Sequence, residues 1–381
     1  MPRETRRVAL VIPSLDYGGA ERHLVRLTRG LRASSIAPSV IVLDPRAANP
    51  LRPEIEATGA EVMTPPHARN HPLSATWLAG QLRSGRFDVA HSFLWRADVQ
   101  LALAARLAGF TPVIASERGD RLMPSYWSPA WRKRRWLDRR LTFRTARRLV
   151  TNSEAGRAAV ARAGYPDDRV VVIPNWIHLA DVDAARTEGM GLRTHYGFGD
   201  RVVIGFVGRL APDKGALEFV RVASAIANHC TDRVRFVMVG DGLLRSKVEA
   251  DIGAAGLTPQ FVLAGAVSAP LSFIHAMDVG VMCSPSESMP NVMLEFMAAG
   301  KAVVAPAVGG LGEVLVDGVT GRLVAAGSTD ALADACVALV DAVADRNAMG
   351  HKARRAVETG YQEATGITRY LELYEQVADG R

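Results

Sequence analysis

Strand-length apolar runs recur along this chain, each closed by a glycine, a proline or a polar turn, and many are followed by a stretch with helical apolar spacing. In the first half the runs are residues 8–12, 39–43, 87–90 and 112–115, alternating with helix candidates over 51–58, 73–82 and 99–108. A later set covers 202–208, 236–240, 261–265, 279–283 and 301–307. Runs apolar on both faces, separated by helices, predict an α/β fold built on parallel, doubly wound sheets. With 381 residues there is room for two separate cores. The polar stretch 178–200, with Gly189, Gly191, Gly197 and Gly199, is the best candidate linker. The expected division is an N-terminal domain over 1–185, a C-terminal domain over 186–360 and a final helix over 361–381.

The stretch from Cys283 to Gly300, CSPSESMPNVMLEFMAAG, has the strongest chemical content. Pro290 and Asn291 favour a helix start ahead of the apolar residues from Val292 to Ala299, and Gly300 favours its end. Glu287 precedes that helix and Glu295 lies within it, so the two carboxylates can face one ligand from loop and helix. Open N–H groups at the helix start attract an anion such as a diphosphate, and ionised carboxylates suit a polyhydroxylated ligand. Two isolated acids would more often be solvated surface residues, so the neighbours decide.

Those neighbours include Gly309, Gly310 and Glu313, which follow the apolar run 301–307. With Ser284, Glu287, Pro290, Asn291, Glu295, Gly300, Gly310 and Glu313, the chain resembles the donor-binding signature of the retaining glycosyltransferases of family four. The resemblance covers nearly the whole chain, is strongest over 205–321, and implies the GT-B architecture. That architecture has two facing Rossmann-like domains, acceptor-binding then donor-binding, with a C-terminal helix crossing back. It implies that Arg209 and Lys214, in VVIGFVGRLAPDKG, clamp the donor diphosphate. Together with Glu287 they are the expected catalytic groups. It further implies donor contacts from the Gly18-Gly19 turn, from Gly265 beside the nucleobase, and from Pro290, Asn291, Val292 and Glu295. Ser288 and Phe296 depart from the family pattern, where glycine and a small residue are usual, and both could reshape the sugar pocket; Trp176 in VVIPNWI departs as well. Arg118 stands where many members carry histidine, and arginine cannot serve as a base. Glu117 or His91 could take that duty, unless no strong base is used. His91, placed at the end of the 87–90 run, is either an acceptor-side residue or simply a hydrogen-bonded strand-end histidine.

Neither metal nor cofactor is expected; the nucleotide-sugar donor is a substrate. Asp181 and Asp183 form an acid-x-acid pair, but without flanking strand patterns they read as solvent-exposed. The apolar stretches are too short to span a membrane, and Cys230, Cys283 and Cys336 are scattered, which predicts buried thiols in the cytoplasm. Up to residue 180 there are 28 Lys or Arg against 15 Asp or Glu, a net of +13, whereas the remainder nets −6. The segment from Trp127 to Val150 interleaves basic and aromatic residues. It suits nucleic acid, an anionic bilayer surface or packing on its own domain; the roughly helical spacing of Trp127, Trp131, Trp136, Leu137, Leu141 and Phe143 favours the bilayer. The expected partners are therefore a nucleotide-sugar donor (a UDP-sugar), a lipid-linked or saccharide acceptor and the inner face of the cell membrane, with no nucleic acid. A nucleotide-sugar-binding or epimerase-like protein of the same fold is the alternative. A dehydrogenase is disfavoured, because no strand leads into G-x-G-x-x-G.

Overall fold

The structure, a computed structural model, describes residues 6–66, 72–119, 122–123, 125 and 128–380, with the side chains of 72 and 73 excepted. It divides into two compact units, one comprising 1–175 with 363–381 and the other 176–362.

In unit 1, among the described residues, the strands β1 (Arg6–Ile12), β2 (Ile36–Val42), β3 (Glu61–Met63), β4 (Val89–Phe93), β5 (Val113–Ser116), β6 (Arg148–Thr151) and β7 (Val170–Val172) form one sheet. Their order is β3-β2-β1-β4-β5-β6-β7 and every pairing is parallel. Unit 2 repeats the plan with β8 (Val202–Val207), β9 (Val234–Val239), β10 (Phe261–Gly265), β11 (Val279–Val281), β12 (Ala302–Pro306) and β13 (Arg322–Val324), in the parallel order β10-β9-β8-β11-β12-β13. In each sheet the winding reverses beside the first strand, between β1 and β4 and between β8 and β11. At such a switch point neighbouring loops diverge and leave a crevice for ligand.

The cores follow from the double-faced apolar strands. Ala9, Val11, Ile41, Ala90, Val113 and Leu149 pack with Leu101 and Ala104 in unit 1, and Ile204, Phe236 and Val304 with Phe219 and Ile226 in unit 2. Each large aliphatic or aromatic side chain so buried contributes about 1.5–3 kcal/mol. The closing helix, Glu363–Ala378, returns to unit 1, where Tyr370, Leu373, Tyr374 and Val377 are buried and Ile367 fills the space left by Gly30 on the helix Gly19–Arg32.

Three expectations change. The 178–200 stretch contains two helices, Leu179–Ala184 and Arg186–His195, rather than an open linker. Its Gly189 allows close helix contact: a Cβ there would lie 2.4 Å from that of His275 in the helix Pro270–Ala276. Phe296 faces the core, not a ligand pocket, and its bulk is accommodated by Gly280 of β11, where a Cβ would approach the ring within 2.6 Å. His91 lies in the middle of β4, because that strand begins and ends later than the apolar run suggests.

Candidate active site

At the unit 2 switch point, the chain leaves β8 through Gly208 and Arg209, makes a short turn over Pro212–Lys214, and enters the helix Ala216–Cys230. Gly215 closes the turn at φ +70°, and a Cβ there would sit 2.2 Å from the Cys283 carbonyl oxygen, so the turn lies directly on the chain leaving β11. This close approach sets Lys214 against Glu287: Nζ donates to Oε1 at 2.5 Å, with the carboxylate 9% exposed and the ammonium 30%. The Glu287 backbone is fixed from its other side. Gly310 N donates to its carbonyl at 3.1 Å, and Gly309, at φ +52°, comes so near that a Cβ would overlap the same oxygen. Arg209 Nη2 pairs with Asp213 Oδ2 at 2.6 Å, an interaction the sequence reading overlooked although the aspartate stands beside Lys214.

The helix Asn291–Ala298 starts from Pro290 with no side-chain cap, and Asn291 and Glu295 are both buried. Its first turn therefore offers backbone donors to an anion, close in sequence to the Lys214–Glu287 pair. Gly265 ends β10, and its carbonyl accepts from Gly240 N at 2.8 Å, which joins the carboxyl edges of β9 and β10. Asp181 and Asp183 are engaged separately: Asp181 with His178 Nδ1 at 2.8 Å, Asp183 with both Arg354 Nη atoms at 2.9 Å. The hydrogen bonds from Arg354 hold the Asp183 carboxyl below its ordinary range.

In unit 1, Gly18 precedes the helix Gly19–Arg32, and the Glu21 carboxylate folds over it. His91 has no solvent exposure; Nδ1 lies 2.9 Å from Tyr374 Oη and Nε2 2.7 Å from Ser116 Oγ. A neutral imidazole donates through one nitrogen and accepts at the other, and both hydroxyls can complement it. Burial, reinforced by the Arg118 charge, pushes His91 well below the ordinary histidine range. Arg118 is a strut, donating from Nη1 to Asn175 Oδ1 at 3.0 Å and from Nη2 to Tyr370 Oη at 2.8 Å, with its guanidinium 5.4 Å from the Phe93 ring centroid. Glu117 is 1% exposed and accepts from Gly119 N at 2.7 Å. Ser116, Asn175, Tyr370 and Tyr374, which hold this cluster, have no motif and were not anticipated.

Residues 17–181 match the profile described as Glycosyltransferase Family 4, and residues 201–342 that of Glycosyl transferases group 1. The D-inositol 3-phosphate glycosyltransferase of Pseudarthrobacter chlorophenolicus is 30% identical over 307 residues, 77% of this chain and 72% of the relative. The chain belongs to glycosyltransferase family 4. The 2-deoxystreptamine N-acetyl-D-glucosaminyltransferase of Streptomyces fradiae is 32% identical over 81% of this chain and 77% of its own. For the alpha-D-kanosaminyltransferase of Streptomyces kanamyceticus the figures are 28%, 64% and 64%, so there the match spans just under two thirds of the relative. Among solved structures, HepE of Anabaena in complex with UDP-glucose superposes with a TM-score of 0.84 at 22% identity, covering 97% of this chain and 99% of that one. Sucrose-phosphate synthase from Thermosynechococcus elongatus gives 0.80 at 18%, covering 99% and 100%. Both are GT-B proteins, the fold of this chain.

This family 4 chain carries its basic segment differently from the expectation. Trp127 lies outside the described residues. Trp131 and Phe143 pack on the unit 1 core, whereas Trp136 is 57% exposed. Arg134 is stacked 4.6 Å from the Trp95 centroid and 4.2 Å from that of Trp131. The apolar residues thus do not share one outward face: Trp131 and Trp136, five positions apart, already diverge, and a π turn, Asp138–Thr142, shifts the period before Phe143. No helix among the described residues is long and apolar enough to cross a membrane.

Proposed function

We propose that this chain transfers a sugar from a nucleoside diphosphate sugar, a UDP-sugar, to an acceptor hydroxyl with retention of anomeric configuration. The observation that carries the reading is the Lys214–Glu287 pair at the unit 2 switch point, in the loop that leads to an uncapped helix start. The acceptor hydroxyl attacks the anomeric carbon on the face the diphosphate leaves. As the carbon–oxygen bond to phosphate breaks, its electron pair stays on the diphosphate, and the acceptor proton passes to that leaving oxygen. Arg209, Lys214 and the helix start stabilise the growing charge, Glu287 holds sugar hydroxyls and Glu295 the ribose. This positive field stands in for a divalent metal, and the buried His91 is not required as a base. The UDP-glucose in the HepE complex supports the choice of nucleotide.

For the acceptor we favour a lipid-linked hydroxyl in cell-surface polysaccharide or glycolipid assembly, reached by a cytoplasmic protein docked on the inner membrane face through unit 1. Exposed Trp136 and the surrounding arginines support it. A water-soluble polyol is the second reading, favoured by relatives named for D-inositol 3-phosphate and 2-deoxystreptamine. Incubation of a UDP-sugar panel with lipid-linked and soluble acceptors, with and without EDTA, tests all of this. We expect an α-linked product from an α-linked donor at an unchanged rate in EDTA. An inverted product, metal dependence restored by Mn²⁺, or a free or epimerised sugar as the sole product would each contradict the proposal.

A further inference from the structure

The segment from Trp131 to Thr145 runs beside the helix Trp95–Ala108, tied to it by Arg106, whose Nη2 donates to the Arg140 carbonyl at 2.6 Å and Nε to Thr145 Oγ1 at 3.0 Å. It begins next to Trp95, at the carboxyl edge of the sheet, and ends at Phe143 and Arg144, just before β6 starts. At that end a shallow cavity of about 530 Å³, largely open to solvent, lies between Arg139, Phe143, Arg144, Gly164 and Pro166. Gly164 and Pro166 precede β7, so the cavity lies at the amino edge of the sheet. It is about 13 Å of strand away from the edge that carries Glu117 and Arg118.

The π turn Asp138–Thr142 builds this cavity. Residues five apart lie about 140° apart around an α-helix, but a π turn closes i to i+5 and brings Arg139 and Arg144 towards one side. Arg139 is held in place, since its Nε donates to the Ala163 carbonyl at 3.0 Å. Neither Arg139 nor Arg144 has a carboxylate partner among the described residues. Of the two acids at the same turn, Asp167 is bound by Nε and Nη2 of Arg157, at 2.8 and 2.6 Å, and Asp168 pairs with neither Arg139 nor Arg144 among the described residues. Two guanidinium groups without counter-ions, over a floor of Phe143 and Pro166, fit a doubly bonded anion with an apolar flank. Exposed Trp136, one turn earlier, has the character of a residue that settles at a lipid headgroup layer.

We propose that this cavity receives the phosphodiester of an anionic phospholipid headgroup, with Arg139 and Arg144 on its non-bridging oxygens. The assignment rests on the membrane-docked reading of the proposed function and locates the docking contact, away from the donor and acceptor edges. The test is flotation of the full chain with phosphatidylcholine vesicles containing one-third phosphatidylglycerol, in low salt. Arg139→Gln/Arg144→Gln is compared with Arg132→Gln/Lys133→Gln, which removes the same charge from the same segment outside the cavity. Arg144→Gln alone, at a side chain with no hydrogen bond or ion pair among the described residues, guards against misfolding. We expect roughly tenfold weaker binding or more for the cavity pair, an intermediate loss for Arg144→Gln, and little change for the control pair. Equal losses for the two pairs would reduce the effect to diffuse charge and overturn the site while leaving membrane docking intact. If the wild type ignores the vesicles, docking itself is wrong; short-chain monomeric phosphatidylglycerol then decides the cavity, which stands only if Trp fluorescence responds in the wild type and not in the cavity pair. Competition by inorganic phosphate at equal strength would make free phosphate the ligand and overturn the lipid assignment.

Discussion

The two units share a strand order and a switch point, yet they use polar residues in opposite ways. In unit 2 a partly exposed ammonium meets a largely buried carboxylate where two loops diverge, and Arg209 stands solvent-facing nearby. In unit 1 His91, in the middle of β4, and Arg118, just beyond β5, are hydrogen-bonded to tyrosines of the closing helix. Charge left accessible can exchange partners with a ligand, whereas charge and imidazole enclosed by hydroxyls hold elements together. On the proposed function the same fold would separate chemistry from fastening, with the assignment of each residue following from access more than from residue type.

The largest effect expected from this contrast is on turnover. Lys214→Ala should lower transfer by about 10²-fold or more. Some loss of melting temperature is expected as well, since the Glu287 carboxylate, 9% exposed, is left without this partner, so turnover is compared per folded molecule. Transfer within threefold of wild type would break the contrast at its active end. His91→Ala should do the reverse, costing about 2–4 kcal/mol of stability through a cavity and two hydroxyls left without their partner. Turnover per folded molecule should change little. A large loss of kcat with unchanged unfolding would return His91 to the acceptor side.

A smaller effect concerns pH. Burial, followed by the Arg118 charge, lowers both His91 and His23 well below 6.5, and both stay neutral in the folded chain. Below pH 6.5 the unfolded chain binds protons that the folded one does not, so stability falls with pH; above it this term is fully present. The slope reaches about 1.4 kcal/mol per pH unit for each histidine. Urea titrations between pH 7.5 and 5 should show it, and His91→Gln should lessen it. A wild type equally stable at both ends would mean these rings are not held neutral.

Much of this was legible in the sequence because alternation and glycine placement report on the backbone. β1, β8 and β10 fall where the apolar runs put them, whereas the approach of Lys214 to Glu287 depends on Gly215 and Gly309, which meet Cys283 and Glu287 from far along the chain. The three-residue strands β3 and β13 were too short to leave a pattern. His91 was misplaced because the apolar run gave the strand's end three residues early. Gly189 was read as flexibility when it serves close packing against His275, and Phe296 as a pocket residue when Gly280 makes room for it. Such pairings join distant positions and leave no mark at either one. The tyrosines 370 and 374 are a further case, since nothing near them in sequence names His91 or Arg118 as a partner.

The most direct test of the division of labour is hydrogen–deuterium exchange of the full chain with and without saturating UDP. Protection is expected over 209–215 and 283–295, where Lys214, Glu287 and the uncapped helix start would engage the diphosphate and ribose, with little change in the amides of the buried strands β4 and β5. Protection in the 91–98 and 117–119 segments with none at 283–295 would contradict the account and move the nucleotide to unit 1.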